Sequence, residues 1–233
     1  MRQWISSCFE TRRQNMLVKF WMTADVITTD EDVSIVKTSR LMKERGIQHL
    51  PVMKNSRLVG IISDRDLKEA QSSNATSLHI HELHYLLEKL KVKEIMPKKL
   101  YTTTPEAPVD KAAALMLKHN ISSLPVVDNK GNLEGIITKG DVFRAMATIS
   151  GIYQAPLQLG LELEDQPGSI NEVTEMIRAH GGRIVSIINT YHQAPENFRH
   201  VYIRTKDVGD ENALLSKLNG KFRVLYKTHD EID

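Results

Sequence analysis

The segment Gly60-Ile61-Ile62-Ser63-Asp64-Arg65-Asp66 returns, nearly copied, as Gly135-Ile136-Ile137-Thr138-Lys139-Gly140-Asp141, an offset of 75 residues. Duplication limits the chain to folds that hold one unit twice. In each copy Gly leads into an apolar pair that reads as a buried strand. A hydroxyl residue follows, then two hydrophilic or small residues and an Asp where a helix starts.

Two chemistries fit this pattern. Ser63…Asp66 and Thr138…Asp141 have capping-box spacing, which holds a helix start and binds nothing. They also suit a ribose phosphate. Asp accepts hydrogen bonds from the ribose hydroxyls, Ser or Thr bonds a phosphate, and the N–H groups of the first helical turn attract anions.

The match extends far beyond the motif. At an offset of 74, Met22 lies over Met96, Thr28 over Thr102, Ile35 over Val109, Leu41-Met42 over Leu115-Met116, and Leu50-Pro51-Val52 over Leu124-Pro125-Val126. The offset becomes 75 after the prolines, so one residue is inserted in the turn Asp128-Asn129-Lys130-Gly131-Asn132, opposite Lys54-Asn55-Ser56-Arg57. Each copy opens on an extended piece, Val26 to Thr28 or Leu100 to Thr102. A helix follows, with Val109, Ala112, Ala113 and Met116 at i, i+3, i+4 and i+7. Gly46 and Asn120 come next, the residue types that tolerate a left-handed C-cap. A hairpin and a closing helix complete β-α-β-β-α.

With these residues the segment from 16 to about 148 resembles a tandem pair of cystathionine-β-synthase (CBS) domains, a Bateman module. The resemblance implies binding of adenosine ligands (AMP, ADP, ATP or S-adenosylmethionine) between the repeats. Carried over by position, Ser63 and Asp66 serve one site and Thr138 and Asp141 the other. Thr28 and Thr102, with the strands at His49 and Ser123, flank adenine. Arg65 and Lys139 are phosphate partners or solvated side chains.

The resulting expectation is an α+β chain: a lead at 1–15 that is disordered or follows a mis-assigned start, CBS repeats at 16–75 and 93–150, and a helical insert at 76–92. In the insert Leu83, Leu86, Leu87 and Leu90 form an apolar face that packs on the CBS pair or across a dimer. His79, His81 and His84 lack a metal-site spacing and read as a solvated face, so no metal is expected. With 31 basic and 29 acidic residues and no long run of one sign, a nucleic-acid footprint is not expected. No apolar run approaches a membrane span. The lone Cys8 forms no intrachain disulfide, and a cytoplasmic location is expected.

After Thr148 the pattern changes. Leu157, Leu159, Leu161 and Leu163 alternate with Gln158, Gly160, Glu162 and Glu164, the period of a half-buried strand. A helix, two extended segments, a second helix and a last strand give β-α-β-β-α-β over 155–230, the ferredoxin-like order. Asp165-Gln166-Pro167-Gly168 at the strand–helix junction is similar to the start of an ACT domain, a regulatory module that often binds amino acids. Asp165 and Gly168 are then ligand-site candidates or simply turn residues.

The whole, from Met16, resembles the AcuB type of bacterial acetoin-utilisation protein. That resemblance implies a regulator without a catalytic domain, acting in acetoin or central carbon metabolism. It needs no cofactor, takes adenine nucleotide as regulatory ligand, assembles as a homodimer and acts on a protein partner. The alternative is a sensor of an amino acid or other metabolite in which the ACT-like domain binds and the CBS pair is a dimerisation scaffold. No catalytic signature stands against these readings: the nucleotide-hydrolase phosphate loop and Cys-x-x-Cys are both absent.

Overall fold

The structure, a computed structural model, describes residues 16–74 and 87–230, with the backbone alone at 71–74. The expectations for residues 1–15, for Leu83 and Leu86, and for His79, His81 and His84 lie outside the described residues. Two compact units meet in the chain between Val142 and Phe143.

In the first repeat β1 (Thr29–Asp30), α1 (Ile35–Arg45), β2 (His49–Lys54), β3 (Arg57–Ser63) and α2 (Asp64–Asn74) follow in order. Residues 87–89 are helical, and α3 (Val92–Ile95) leads into the second repeat. There Thr103 makes a single parallel bridge to Val126 in place of β1. Next come α4 (Val109–His119), β4 (Ser123–Val127), β5 (Leu133–Thr138) and α5 (Lys139–Ile149). The first strand begins later than the sequence suggested, at Thr29 and Thr103 rather than Val26 and Leu100.

Local chemistry sets the element ends. Ser34 caps α1 by accepting from the Lys37 N–H, and α1 stops at Gly46 with φ 63°. Asn120 ends α4 the same way, with φ 51°. In the first hairpin both Asn55 and Ser56 have positive φ, the conformation whose twist matches the flanking strands. The second hairpin absorbs its extra residue at Gly131, φ 84°. Each hairpin carries a register shift at the same place, Val52/Met53 and Val126/Val127.

The repeats exchange their leading segments. Val18 N–H donates to the Ala107 carbonyl, Lys19 N–H to Pro105, and Val109 N–H to Met16. Seventy-four residues on, Val92 N–H donates to Val33, Lys93 N–H to Glu31, and Ile35 N–H to Leu90. Val18 and Val92 are both fully buried, so each repeat completes its core with a residue from the other's lead. Leu87 and Leu90 also pack on the first repeat's core, which places two of the four insert leucines on the paired repeats. Ion pairs tie the same crossings from outside. Lys91 and Lys93 hold Asp32 at 3.0 and 2.8 Å, and Lys19 holds Glu106 at 2.7 Å. Hydrogen bonds from Lys93 and Lys91 draw the Asp32 carboxyl down to a pKa of about 2.

The second unit has the ferredoxin-like order: β6 (Leu157–Glu164), α6 (Ser169–Ala179), β7 (Arg183–Thr190), β8 (Phe198–Lys206), α7 (Glu211–Asn219) and β9 (Arg223–His229). Its strands lie β7-β8-β6-β9, every pairing antiparallel. The four alternating leucines of β6 pack with Val173 and Ile177 of α6 and Leu214 and Leu218 of α7. The opposite face of β6 is less open than alternation predicted. Glu162 is only 9% exposed, because His200 and Arg223 close over its carboxylate at 3.3 and 3.2 Å. Beside it the Tyr226 ring lies across Gly160, where a Cβ would come within 2.5 Å of the ring.

The glycine that opens each repeated motif has the same kind of role. A Cβ on Gly60 would meet Met96 Sδ at 2.5 Å, and one on Gly135 would meet Met22 Sδ at 2.6 Å and the Thr23 carbonyl at 2.9 Å. Met22 and Met96 thus each cross onto the other repeat's glycine. Gly60→Ala should destabilise the first unit by about 1–3 kcal/mol, the usual cost of overpacking. Gly135→Ala should cost more, since a backbone carbonyl yields less than a thioether. Urea denaturation of both variants checks the order, and equal or negligible losses would refute the close-approach account.

Candidate functional site

A cavity of about 910 Å³ opens in the first unit where the two repeats face each other. Both motif helices start on it. From the first repeat Ser63, Asp64, Arg65 and Asp66 line it; from the second, Thr138, Lys139 and Gly140. The leads contribute Thr23, Asp25, Val26 and Ile27 on one side and Pro97, Lys99 and Tyr101 on the other. The left-handed helix ends Gly46 and Asn120, with the strand starts His49 and Ser123, complete both sides.

At each helix start the capping geometry is formed. Ser63 N–H and Oγ–H donate to Asp66 Oδ2 at 2.7 and 2.6 Å, and Asp66 N–H donates back to Ser63 Oγ at 3.3 Å. Thr138 and Asp141 repeat the arrangement at 2.8, 2.7 and 3.3 Å. The N–H groups of Asp64 and Lys139 donate to the Gln48 and Ser122 carbonyls. The expectation that first-turn N–H groups stand free for an anion is therefore corrected. In each repeat, those of the first and third helical residues are engaged in holding the turn.

Capping leaves the two carboxylates unequal. Asp66 is half-buried, lines the cavity and accepts its cap bonds at one oxygen only, so Oδ1 remains for a ligand hydroxyl. Asp141 is 5% exposed and does not line the cavity. Of the other expected residues, His49, Ser63, Arg65, Ser123, Thr138 and Lys139 line it, whereas Thr28 and Thr102, next in sequence to the lining Ile27 and Tyr101, do not. Arg65 is paired with Glu69 at 2.8 Å on the exposed helix face. Asp165 and Gly168 lie in the second unit. There Asp165 meets Tyr191 Oη at 3.4 Å and Arg199 Nε at 3.6 Å, and Gly168 takes φ 95° before α6.

Among the lining residues that the sequence reading did not name as site residues are Asp25, Lys99, Tyr101 and Ser122. The first three lie on or just before the extended pieces that the reading did single out. A comparison of lining positions across the offset would have found them, since Asp25 falls over Lys99 and Ile27 over Tyr101. Tyr101 stacks on His119 at 3.8 Å between ring centroids, with Lys99 over its ring at 5.0 Å.

His49 links the repeats directly: its Nε2 shares a 2.8 Å hydrogen bond with Ser122 Oγ. Burial pushes the His49 pKa below its ordinary 6.5, against the opposing pull of Asp64 and Asp66. The folded protein thus resists protonating a group that the unfolded chain protonates readily. This contribution to stability is complete above the unfolded value and is lost as pH falls below about 6.5. Wild type should therefore lose stability relative to His49→Gln between about pH 7.5 and about pH 5.5. Urea midpoints at the two pH values test it, and a constant difference would remove His49 as the titrating group.

The CBS domain family model matches residues 18–73 and 92–148. Protein MJ1426 of Methanocaldococcus jannaschii is 34% identical over 154 residues, covering 56% of this chain and 91% of that protein. An inosine-5'-monophosphate dehydrogenase of Korarchaeum cryptofilum is 37% identical over 119 residues, 51% of this chain but only 22% of the dehydrogenase. An L-aspartate semialdehyde sulfurtransferase of M. jannaschii is 33% identical, with 23% of its length spanned. Among solved structures, the CBS domain pair of protein MJ0100 with 5'-methylthioadenosine and S-adenosyl-L-methionine is 32% identical. It covers 57% of this chain and 96% of that one at a TM-score of 0.49. A Vibrio cholerae protein ascribed to acetoin utilization (AcuB) is 30% identical, covering 60% and 96% at 0.48. By its two matched segments, and by an identity that spans nine-tenths of MJ1426, the chain belongs to the CBS-domain family.

Proposed function

We propose that the protein is a non-catalytic, cytoplasmic regulator that binds an adenosine ligand in the cavity between its CBS repeats and relays occupancy through the geometry of a homodimer. The observation that carries the reading is the convergence of both motif helices on one cavity that Asp66 lines, its cap bonds taken at one carboxylate oxygen, which leaves the other for a ribose diol. Ser63, Thr138, His49 and Ser123 supply polar groups around it, while Ile27, Ile61, Ile136 and Tyr101 offer apolar surface for a base. Small-molecule sites usually combine these two kinds of lining. Among the described residues no helix is long and apolar enough to cross a membrane.

Titration calorimetry with AMP, ADP, ATP and S-adenosylmethionine is the test. Asp66→Ala should weaken binding about tenfold to a hundredfold, the worth of hydrogen bonds to a charged group. Asp141→Ala should act mainly on stability, since its carboxylate is enclosed. Loss of its cap typically costs about 0.5–2 kcal/mol. If none of the four ligands binds, the reading falls; if Asp66→Ala binds like wild type, the ribose assignment falls.

The second unit is read as ACT-like on two features: the βαββαβ order, and the Asp165–Gly168 turn with its left-handed glycine before α6. Its edge strands β7 and β9 each have one neighbour. Pairing with a second copy would cover such an edge. On α5, Phe143 and Met146 are 71% and 45% exposed one turn apart, further apolar area for the same assembly. A ligand shifts a dimer only by its differential affinity for two geometries, so bound nucleotide must fit one better. Light scattering coupled to size exclusion should give the mass of a dimer, and a monomer at micromolar concentration would refute the assembly.

A further inference from the structure

The two halves of the cavity carry opposite charge at matching positions. Asp25 falls over Lys99, Asp64 over Lys139 and Glu69 over Arg144, each by the repeat offset. Of these, Asp25, Asp64 and Glu69 line the cavity from the first repeat, together with Asp66 and one cation, Arg65, which Glu69 already holds. From the second repeat the lining charges are Lys99 and Lys139, and Asp141 lies behind the surface. Among the described residues Lys139 forms no ion pair, while Asp64 is met by Lys68 at 3.0 Å.

Lys99 and Lys139 belong to the same corner. Thr103 bridges Val126 in parallel, so the lead that carries Lys99 runs in beside β4, and Ser122, just before β4, lines the cavity with it. Ser122 in turn accepts from the Lys139 N–H, and Ser123 pairs with Thr138. Both lysines line the cavity from this side, Lys99 with its ammonium over the Tyr101 ring at 5.0 Å.

Resting on the adenosine-ligand reading above, we propose that the cavity is polarised: the corner of Lys99 and Lys139 is the phosphate subsite, and the first-repeat end, through Asp66, takes ribose and repels phosphate. The ligand is then an anionic nucleotide held in one orientation. Affinity rises from adenosine to AMP to ATP, and the gain comes from the second repeat alone. Arg65, which the motif placed as a phosphate partner, contributes little because Glu69 neutralises it. The preference is electrostatic across a partly open cavity, so it weakens with salt.

The test is the affinity ratio of adenosine to AMP and ATP by titration calorimetry. It uses the full chain, Lys99→Ala/Lys139→Ala, Arg65→Ala and Asp64→Asn, each checked for an unchanged thermal transition. In wild type AMP should bind about tenfold or more tightly than adenosine, as expected for charge-assisted contacts. The double lysine variant should bring the ratio close to one while adenosine affinity holds. Arg65→Ala should leave the ratio unchanged and Asp64→Asn should raise it. Adenosine and AMP binding alike in wild type, or a ratio that falls with Arg65→Ala and survives loss of both lysines, overturns the polarity and leaves the adenosine reading standing. Failure of adenosine, AMP and ATP all to bind overturns the polarity, and failure of ADP and S-adenosylmethionine as well overturns the reading it rests on.

Discussion

Each CBS repeat is built around an apolar side chain that it does not own. Val18 fills the second repeat and Val92 the first, and each is delivered by three backbone hydrogen bonds that cross between the repeats. Burying a valine is worth about 1.5–3 kcal/mol, and each such hydrogen bond adds about 0.5–1.5 kcal/mol net. Neither repeat keeps those contributions alone, so the pair is the folding unit. The cavity depends on the same exchange. Thr23, Asp25 and Ile27, like Pro97, Lys99 and Tyr101, reach the cavity wall as the chain passes from the partner repeat's surface back to its own first strand.

The exchange is not perfectly symmetric, and the departure has a chemical cause. Thr23 and Ile136 bridge through both N–H groups, one donating each way at 2.9 Å. The matching position to Thr23 is Pro97, which has no N–H to give. One side of the module is therefore stitched further along the lead than the other. The helix starts differ in the same spirit. Capping distances that agree within 0.1 Å hold both turns, yet one carboxylate reaches the cavity and the other is enclosed. Capping and ligand binding are thus compatible uses of one Asp, because a carboxylate has a second oxygen when its surroundings leave it open.

The repeat was legible because its signals are local. Gly46 and Asn120 announce helix ends through the left-handed conformation, and the offset change at Asp128–Asn132 announces a turn. The leucines of β6 announce a sheet face through period two. What stayed hidden depends on distant partners. Met22 and Met96 could be matched in sequence, but that each covers the other repeat's glycine follows only from the crossing of the leads. The same holds for His49 and Ser122, 73 residues apart and joined by one hydrogen bond. Glu162 falls on the polar side of an alternating strand, and its burial under His200 and Arg223 comes from cross-strand neighbours that alternation does not encode.

Comparing the repeats with each other separates the positions that make the fold from those that set its chemistry. Seven buried pairs stay apolar through the duplication: Val18 and Val92, Ile35 and Val109, Met42 and Met116, Leu50 and Leu124, Val52 and Val126, Ile62 and Ile137, Leu67 and Val142, while buried Thr38 falls over Ala112. Several cavity positions diverge in kind: Asp25 and Lys99, Ile27 and Tyr101, His49 and Ser123, Asp64 and Lys139, Arg65 and Gly140, while Ile47 and Ile121, Ile61 and Ile136, and Ser63 and Thr138 keep theirs. Core packing penalises a changed volume or a stranded polar group by kilocalories. At a partly exposed cavity wall a change of charge costs the fold little. A duplicated module of this kind can keep two interlocked cores while its two halves acquire different affinities, because the buried apolar side chains of the cores are not the charged ones that face the cavity.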